Sequence, residues 1–229
     1  DEIKNFIRKF YLNDKRISYN KNKNNIGALK NFNQAFSSVN TEFFSVLSDD
    51  DFLEKNFYKR AIDILDKNKE LKFVIFDTIF IDGENACVEI KDIKNKLKIL
   101  SGIEGFKGLM NGDINVDWTA VVFRSELAKF YQEINFKLND KGHAENLMMR
   151  CVARYKFGYM SYPGAFYTQH YSSFSSYDDL FVPIHAGIYM QRFIDIINDK
   201  NVDEKIKIYS KKYVINMFKY RIIYDYFFT

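Results

Sequence analysis

The sequence is poor in proline and cysteine, and it has no long apolar run. Pro163 and Pro183 are its only prolines, so it contains no proline-rich linker. Cys87 and Cys151 fit no metal-ligand spacing, and we interpret both as buried thiols in a reducing cytoplasm. No segment reaches the ~18 apolar residues of a membrane span, and the first residues do not resemble a signal peptide. We therefore expect a cytoplasmic protein that is soluble or peripheral to a membrane.

An excess of charge of one sign is also lacking. The 34 lysine and arginine residues nearly balance the 30 aspartate and glutamate residues, which leaves a net charge of +4. This balance does not indicate a nucleic-acid partner, and the aromatic motifs of common RNA-binding modules are absent. In contrast, hydrophobic residues make up 47% of the chain and aromatic residues 17%, which predicts a folded protein.

Segments with helical spacing of apolar residues alternate with short apolar runs in the first part of the chain. They predict helices near 3–10, 28–38 and 57–65, and strands at 16–19, 43–47 and 71–81. This alternation predicts an α/β domain with a largely parallel sheet, whose ligands collect at the carboxyl ends of the strands.

The second half of the chain continues the alternation and then becomes helical. The patterns predict strands at 118–123, 158–162 and 165–170, and helices at 124–131, 143–155 and from 178 to the end. We therefore predict an α/β domain at residues 1–176 and a C-terminal helical appendage at residues 177–229.

Three consecutive carboxylates, Asp49, Asp50 and Asp51, follow the apolar run of the predicted strand at 43–47. Like charges so close together repel unless a cation or hydrogen-bond donors compensate them. Oxygen ligands of this kind suit a hard cation, Mn²⁺ or Mg²⁺, that also holds a substrate phosphate. The alternative is that Ser48 and the aspartates cap a helix beginning near Leu53.

Five segments resemble, in order, the motifs of inverting family 2 glycosyltransferases with the GT-A fold. They are NNIGALKNFNQAF, FFSVLSDDDFL, FVIFDTIFIDG, WTAVVFRSEL and YTQHYSSFSS. The resemblance spans about residues 2–176, and it implies transfer of a sugar from a nucleotide donor, such as a uridine diphosphate sugar, to a glycan or lipid-linked glycan acceptor.

The resemblance also implies roles for individual residues on the donor side. The residues implied in donor binding are Asn25, Gly27, Asn31, Asp49, Asp50 and Ser172. The metal ligands implied are Asp50, Asp51 and His170, with Mn²⁺ or Mg²⁺ as the ion. Two registers of the acidic motif remain open, because the motif either ends on Asp50 or pairs Asp49 with Asp51.

On the acceptor side the resemblance implies a general base just before a helix that ends in arginine. Arg150 fits that arginine, but the family spacing places Ala144 at the base position. Glu145 is the first choice for the base, followed by His143 and Asp140, although a carboxylate in the first turn of a helix also serves as a cap. Asp117, Trp118 and Arg150 are the residues implied in acceptor binding.

The chain departs from the family at its start, because the first strand, helix and second strand of the family have no counterpart. The fold expected from the resemblance is therefore an N-terminally incomplete GT-A domain. The alternative function is a non-catalytic remnant that binds a nucleotide, a glycan or a protein.

The tail at 205–228 carries an aromatic stripe at helical spacing, together with several lysines. The stripe comprises Ile206, Tyr209, Tyr213, Met217, Tyr220 and Tyr224. Two interpretations remain open: peripheral contact of this stripe with an anionic membrane, or its packing against the domain or the second subunit of a homodimer.

Overall fold

The computed structural model describes residues 2–82, 95–134, 143–169 and 183–228. The helices in these residues are α1 (Glu2–Tyr11), α2 (Ala28–Ser37), α3 (Phe57–Lys67), α4 (Gly102–Met110), α5 (Glu126–Glu133), α6 (His143–Arg154), α7 (Pro183–Asn198) and α8 (Glu204–Phe228). The strands are β1 (Phe43–Phe44), β2 (Phe52–Leu53), β3 (Phe73–Asp82), β4 (Leu97–Leu100), β5 (Val121–Arg124) and β6 (Phe157–Gln169). A 3₁₀ turn at Trp118–Ala120 leads directly into β5.

The strands form one mixed sheet in the order β1-β5-β3-β6-β2, and β4 also pairs with β6. Strands β3 and β6 are parallel, whereas the other pairs of described strands are antiparallel. The prediction of a largely parallel sheet is therefore wrong. The physical reason is that β5 lies antiparallel between β1 and β3, and periodicity reports the order of elements but not their direction.

Side chains of the central strands alternate between the two faces of the sheet, as the pleat requires. Phe73 and Ile75 of β3 belong to one hydrophobic cluster, which helices α2, α4, α5 and α6 cover. Val74 and Phe76 belong to a second cluster on the other face, which α3 covers. The result is a sheet between helical layers, the α/β architecture that the sequence predicted.

Several helices confirm the predictions from apolar spacing, while some strands differ from them. Helices α2, α3, α5 and α6 begin or end within a few residues of the predicted bounds. The predicted strand at 16–19 is not a strand, and the one at 43–47 is reduced to β1. The two strands predicted after α6 form the single strand β6, which is irregular where it pairs with Phe76 and Asp77.

Helix α8 packs its predicted aromatic stripe against the rest of the protein. Ile206 is fully buried, Tyr209 makes an edge contact with Phe106 of α4, and the ring of Tyr213 stacks on Phe193 of α7. The described part of the stripe therefore confirms packing and corrects the interpretation that this face meets a membrane. Tyr220 and Tyr224 have side chains outside the described residues.

Two further observations concern the expected thiols and the membrane. Cys151 is a buried free thiol, as predicted, and burial raises the pKa of this thiol well above its ordinary value. Cys87 lies outside the described residues. In the described part of the chain no helix combines the length and the apolar character that crossing a membrane requires.

Candidate active site

Asp51 is the buried member of the acidic run, with 7% of its surface exposed. Its Oδ2 accepts a hydrogen bond of 2.8 Å from the Thr119 hydroxyl, and its Oδ1 accepts one of 3.0 Å from the backbone N–H of Thr168. Both carboxylate oxygens are thus engaged by the protein, which is how a buried charge is accommodated. Asp51 therefore connects the turn formed by Asp49–Asp51, called the acidic turn below, to the 3₁₀ turn and to the end of β6.

Asp50 and Asp49 lie on the same turn but closer to solvent: Asp49 is exposed and Asp50 is partly exposed. The register that pairs Asp49 with Asp51 would require Asp51 to face a ligand, whereas its oxygens bind Thr119 and Thr168. This geometry favours the register that ends on Asp50.

The acidic turn does not cap a helix, so the capping alternative is wrong. Strand β2 follows the turn directly, and helix α3 begins only at Phe57 after Asn56. The reason is that Phe52 and Leu53 pair with Phe166 and Ala165 of β6, which draws this segment into the sheet.

Asp117 lies beside the same threonine. Its Oδ1 accepts a hydrogen bond of 3.1 Å from the backbone N–H of Thr119, so it caps the 3₁₀ turn. The pKa of the Asp117 carboxyl is raised from 3.8 to about 6: burial is the main cause, the hydrogen bonds with Thr119 act against it, and the nearby carboxylates of Asp51 and Glu145 add to it. Two carboxylates from distant parts of the sequence therefore act on Asp117 here.

Trp118 forms one side of an aromatic group with Phe32 of α2 and His143 of α6. The centroid of the Phe32 ring lies 4.6 Å from those of both Trp118 and His143, and the Trp118 and His143 centroids are 5.4 Å apart. Trp118 is only half-buried, whereas His143 is 6% exposed. The group brings the predicted donor-side helix α2 next to the predicted acceptor-side residues.

Glu145 and His143 both lie in the first turn of α6, but they face different surroundings. Glu145 is exposed, and its charge acts on Asp117. His143 packs against the rings of Phe32 and Trp118 within the wall of the site. Of these two predicted bases, Glu145 is therefore the one that a ligand from solvent can reach.

The predicted donor residues of the loop before α2 border a cavity of about 460 Å³. Asn25 Oδ1 accepts a hydrogen bond of 2.8 Å from the Gly27 N–H, and the Asn22 side chain donates one of 2.9 Å to Asn31 Oδ1. Gly27 has a φ of 78°, which favours glycine. Lys21 and Lys23 also line this cavity, so it combines amide groups with positive charge.

Arg150 lies apart from this group in its described contacts. Its guanidinium donates to Asn146 Oδ1 at 3.0 Å and to Asp195 Oδ2 of α7 at 2.5 Å. These bonds give Arg150 a role in joining α6 to α7. Asp140, His170 and Ser172, which the sequence analysis also named, lie outside the described residues.

The described residues do not enclose a metal ion by themselves, because no three histidine, cysteine, aspartate or glutamate side chains among them converge suitably. However, Mg²⁺ and Mn²⁺ are commonly held by one or two carboxylates together with substrate phosphates. The partly exposed carboxylate of Asp50 fits that arrangement.

Thr119 and Thr168 are the residues of this group that sequence reasoning missed. The Thr119 hydroxyl binds Asp51 and lies 3.5 Å from the Ser48 hydroxyl, while the Thr119 N–H binds Asp117. Nothing in the sequence distinguishes this threonine from its neighbours, since its partners are defined only by the tertiary contacts.

Comparisons with known proteins concern the family and the fold of the chain. The sequence profile described as Glycosyl transferase family 2 matches residues 1–129, more than half of the chain. The match ends before α6, so it does not include His143 or Glu145. No curated protein sequence matches the chain.

Among solved structures, S. aureus TarS residues 1–349 in complex with UDP-GlcNAc superposes with a TM-score of 0.71 at 16% identity. The superposition covers 95% of this chain and 60% of that one. A second structure of S. aureus TarS has a TM-score of 0.65 at 15% identity and covers 95% of this chain and 36% of the other. The chain thus shares the GT-A fold of these proteins and spans about three fifths of the 349-residue form.

Proposed function

The chain belongs to glycosyltransferase family 2, and from that premise we propose that it is a hexosyltransferase acting with inversion on a nucleotide-sugar donor. The observation that carries the proposal is the convergence of Asp51, Asp117 and Glu145 beside the half-buried Trp118. The acceptor is a hydroxyl of a glycan or of a lipid-linked glycan.

Glu145 is the proposed general base. Its carboxylate is exposed at the start of α6 and takes the proton from the acceptor hydroxyl as that oxygen attacks the anomeric carbon. The bond between this carbon and the donor diphosphate breaks on the opposite side, and the nucleoside diphosphate leaves. Asp117, held in place by the Thr119 N–H, accepts a hydrogen bond from a second sugar hydroxyl. The indole of Trp118 offers an apolar platform for the sugar ring.

The donor lies against the loop before α2 and the acidic turn. Asn25, Gly27 and Asn31 border the donor cavity, whose amide groups and lysines suit the polar parts of a nucleoside diphosphate. Asp50 would hold Mn²⁺ or Mg²⁺ together with the diphosphate, and the cation would neutralise charge on the leaving group. The UDP-GlcNAc bound to S. aureus TarS supports the nucleotide-sugar class and a uridine nucleotide.

The test compares Glu145→Gln with Glu104→Gln, a matched exposed glutamate in the first turn of α4. Glu145→Gln should lower kcat by on the order of 10²-fold or more with donor affinity unchanged, because only proton transfer is lost. Glu104→Gln should behave as the unmodified protein. A Glu145→Gln variant with a normal kcat would assign the base to another residue.

The alternative is a non-catalytic module that binds a nucleotide, a glycan or a protein. Donor binding measured by calorimetry without sugar transfer to any glycan acceptor or water would favour this alternative. Turnover that depends on Glu145 would exclude it.

A further inference from the structure

Helix α8 has two faces of different character. One face packs on the protein through the buried residues Ile206 and Ser210 and through the rings of Tyr209 and Tyr213. At about 100° per residue, the positions opposite Ile206 on the helix are those near 208, 215 and 219. That opposite face has no part in the packing described above.

The opposite face carries three exposed apolar side chains. Ile208 is 47% exposed, Ile215 is 52% exposed and Phe218 is 51% exposed. At 100° per residue these three lie within about 80° of one another around the helix, so they form an apolar strip on one side of it. Lys211 and Lys212 lie between Ile208 and Ile215 along the helix axis. We call this strip and its flanking lysines the outer face of α8.

Lysines lie along one edge of the strip and within it. Lys205, Lys212 and Lys219 lie along one edge, whereas Lys211 falls between Ile215 and Phe218 around the helix, and all four lysines are exposed. The only carboxylate between 204 and 219 is Glu204, at the start of the helix and within 3.8 Å of the Lys207 ammonium. The outer face therefore combines exposed apolar side chains with the positive charge of the lysines.

We propose that the outer face of α8 binds an anionic membrane surface. The side chains of Ile208, Ile215 and Phe218 enter the headgroup layer, and the lysine ammonium groups contact lipid phosphates. The charge pattern favours lipid over a second copy of the chain, because two-fold pairing of this face would oppose lysines to lysines. The proposal does not depend on the proposed activity, and it concerns a different face from the buried aromatic stripe.

The experiment measures co-sedimentation of the complete chain with vesicles of phosphatidylcholine and phosphatidylglycerol at 3:1, and with phosphatidylcholine vesicles alone. The charge variant is Lys211→Gln/Lys212→Gln/Lys219→Gln. Its control carries the same change in net charge on exposed residues of and after α3, Lys59→Gln/Lys67→Gln/Lys69→Gln. The partition coefficient of the charge variant should fall about 100-fold, at about fivefold for each lysine, and that of the control should fall less than threefold.

A second variant tests the exposed apolar side chains of the outer face at constant charge. Ile215→Ser/Phe218→Ser should weaken binding to anionic vesicles at least tenfold while leaving the melting temperature unchanged, because both side chains are exposed. Binding of the unmodified chain should also weaken as salt rises from 50 to 500 mM, since the lysine contribution is screened.

Three results would overturn the proposal. The first is that the chain does not sediment with anionic vesicles at 50 mM salt. The second is that the charge variant and its control lose affinity equally. The third is a dimer in light scattering that Ile215→Ser/Phe218→Ser converts to monomer, which would assign the outer face to a second copy of the chain.

Discussion

Replacing Thr119 by valine tests the hydrogen bonds that organise the proposed active site. Thr119 is 1% exposed, and its hydroxyl donates at 2.8 Å to the carboxylate of Asp51, itself 7% exposed. Valine has nearly the same shape, so the substitution removes the hydroxyl without creating a cavity. The backbone hydrogen bond from residue 119 to Asp117 stays possible in the variant.

The size of the effect follows from what remains around Asp51. In the variant its carboxylate retains the Thr168 N–H, while the oxygen that faced Thr119 lies buried against a methyl group. Loss of a hydrogen bond to a buried charged group costs about 1.5 to 3 kcal/mol. Thr119→Ser keeps the hydroxyl and loses one buried methyl group, which costs about 1 kcal/mol.

The measurement is the melting temperature and the free energy of unfolding in urea at pH 7. For a chain of this length 1 kcal/mol corresponds to roughly 2–4 °C, so Thr119→Val should melt about 3–12 °C lower and Thr119→Ser about 2–4 °C lower. The serine variant should thus be the more stable of the two. Equal stability of Thr119→Val and the unmodified protein, or a serine variant less stable than the valine variant, would refute this role of the hydroxyl.

Three other changes test the site and the core. In metal-free buffer, Asp117→Asn should gain stability over the unmodified protein as pH rises from 4 to 8, by on the order of 2–3 kcal/mol. The reason is that the pKa of Asp117 is raised to about 6 in the folded protein, so its ionisation destabilises the folded state only above pH 4. A difference in urea unfolding that does not change with pH would contradict the shift. Mn²⁺ with UDP should raise the melting temperature of the unmodified protein and of Asp49→Ala by several degrees, but not that of Asp50→Ala. An equal rise in the melting temperature of all three proteins would remove Asp50 from the metal site. Gly164→Ala should destabilise the protein by about 1–3 kcal/mol, because the new Cβ would lie 2.6 Å from the Cβ of a buried phenylalanine of β3. Gly187→Ala should not destabilise it, because no atom lies within 4 Å of the new Cβ. Thermal melts in which Gly187→Ala is the less stable variant would contradict this packing.

Local sequence patterns predicted the helices better than the strands. Helices α2, α3, α5 and α6 follow from apolar residues that repeat every three or four positions, which is a local property of the chain. Helix α4 was not predicted, because glycines occupy its interior and glycine disfavours helix. The structure explains why two of these positions are glycine. A Cβ at Gly105 would lie 2.7 Å from the ring of Phe157, and a Cβ at Gly108 would lie 2.8 Å from Ile114.

The direction and pairing of the strands required the tertiary structure. Strand β4 is four residues long and β2 only two, so neither has a pattern that sequence can reveal. Both pair with β6 on the same edge, β4 along its first half and β2 along its second. These pairings are long-range, and a strand carries the same alternation whichever way it runs.

The sequence by itself determined the α/β class, the family resemblance and the chemical types of the site residues, since apolar spacing and ordered motifs are contained in the chain. Only the tertiary structure decided the surroundings of each carboxylate. It buries Asp51 against Thr119 and Thr168, leaves Asp50 partly exposed, and brings Glu145 close enough to raise the pKa of Asp117. The reason is physical: burial and hydrogen bonding depend on neighbours that are distant in sequence, and the sheet and its covering helices alone bring those neighbours together.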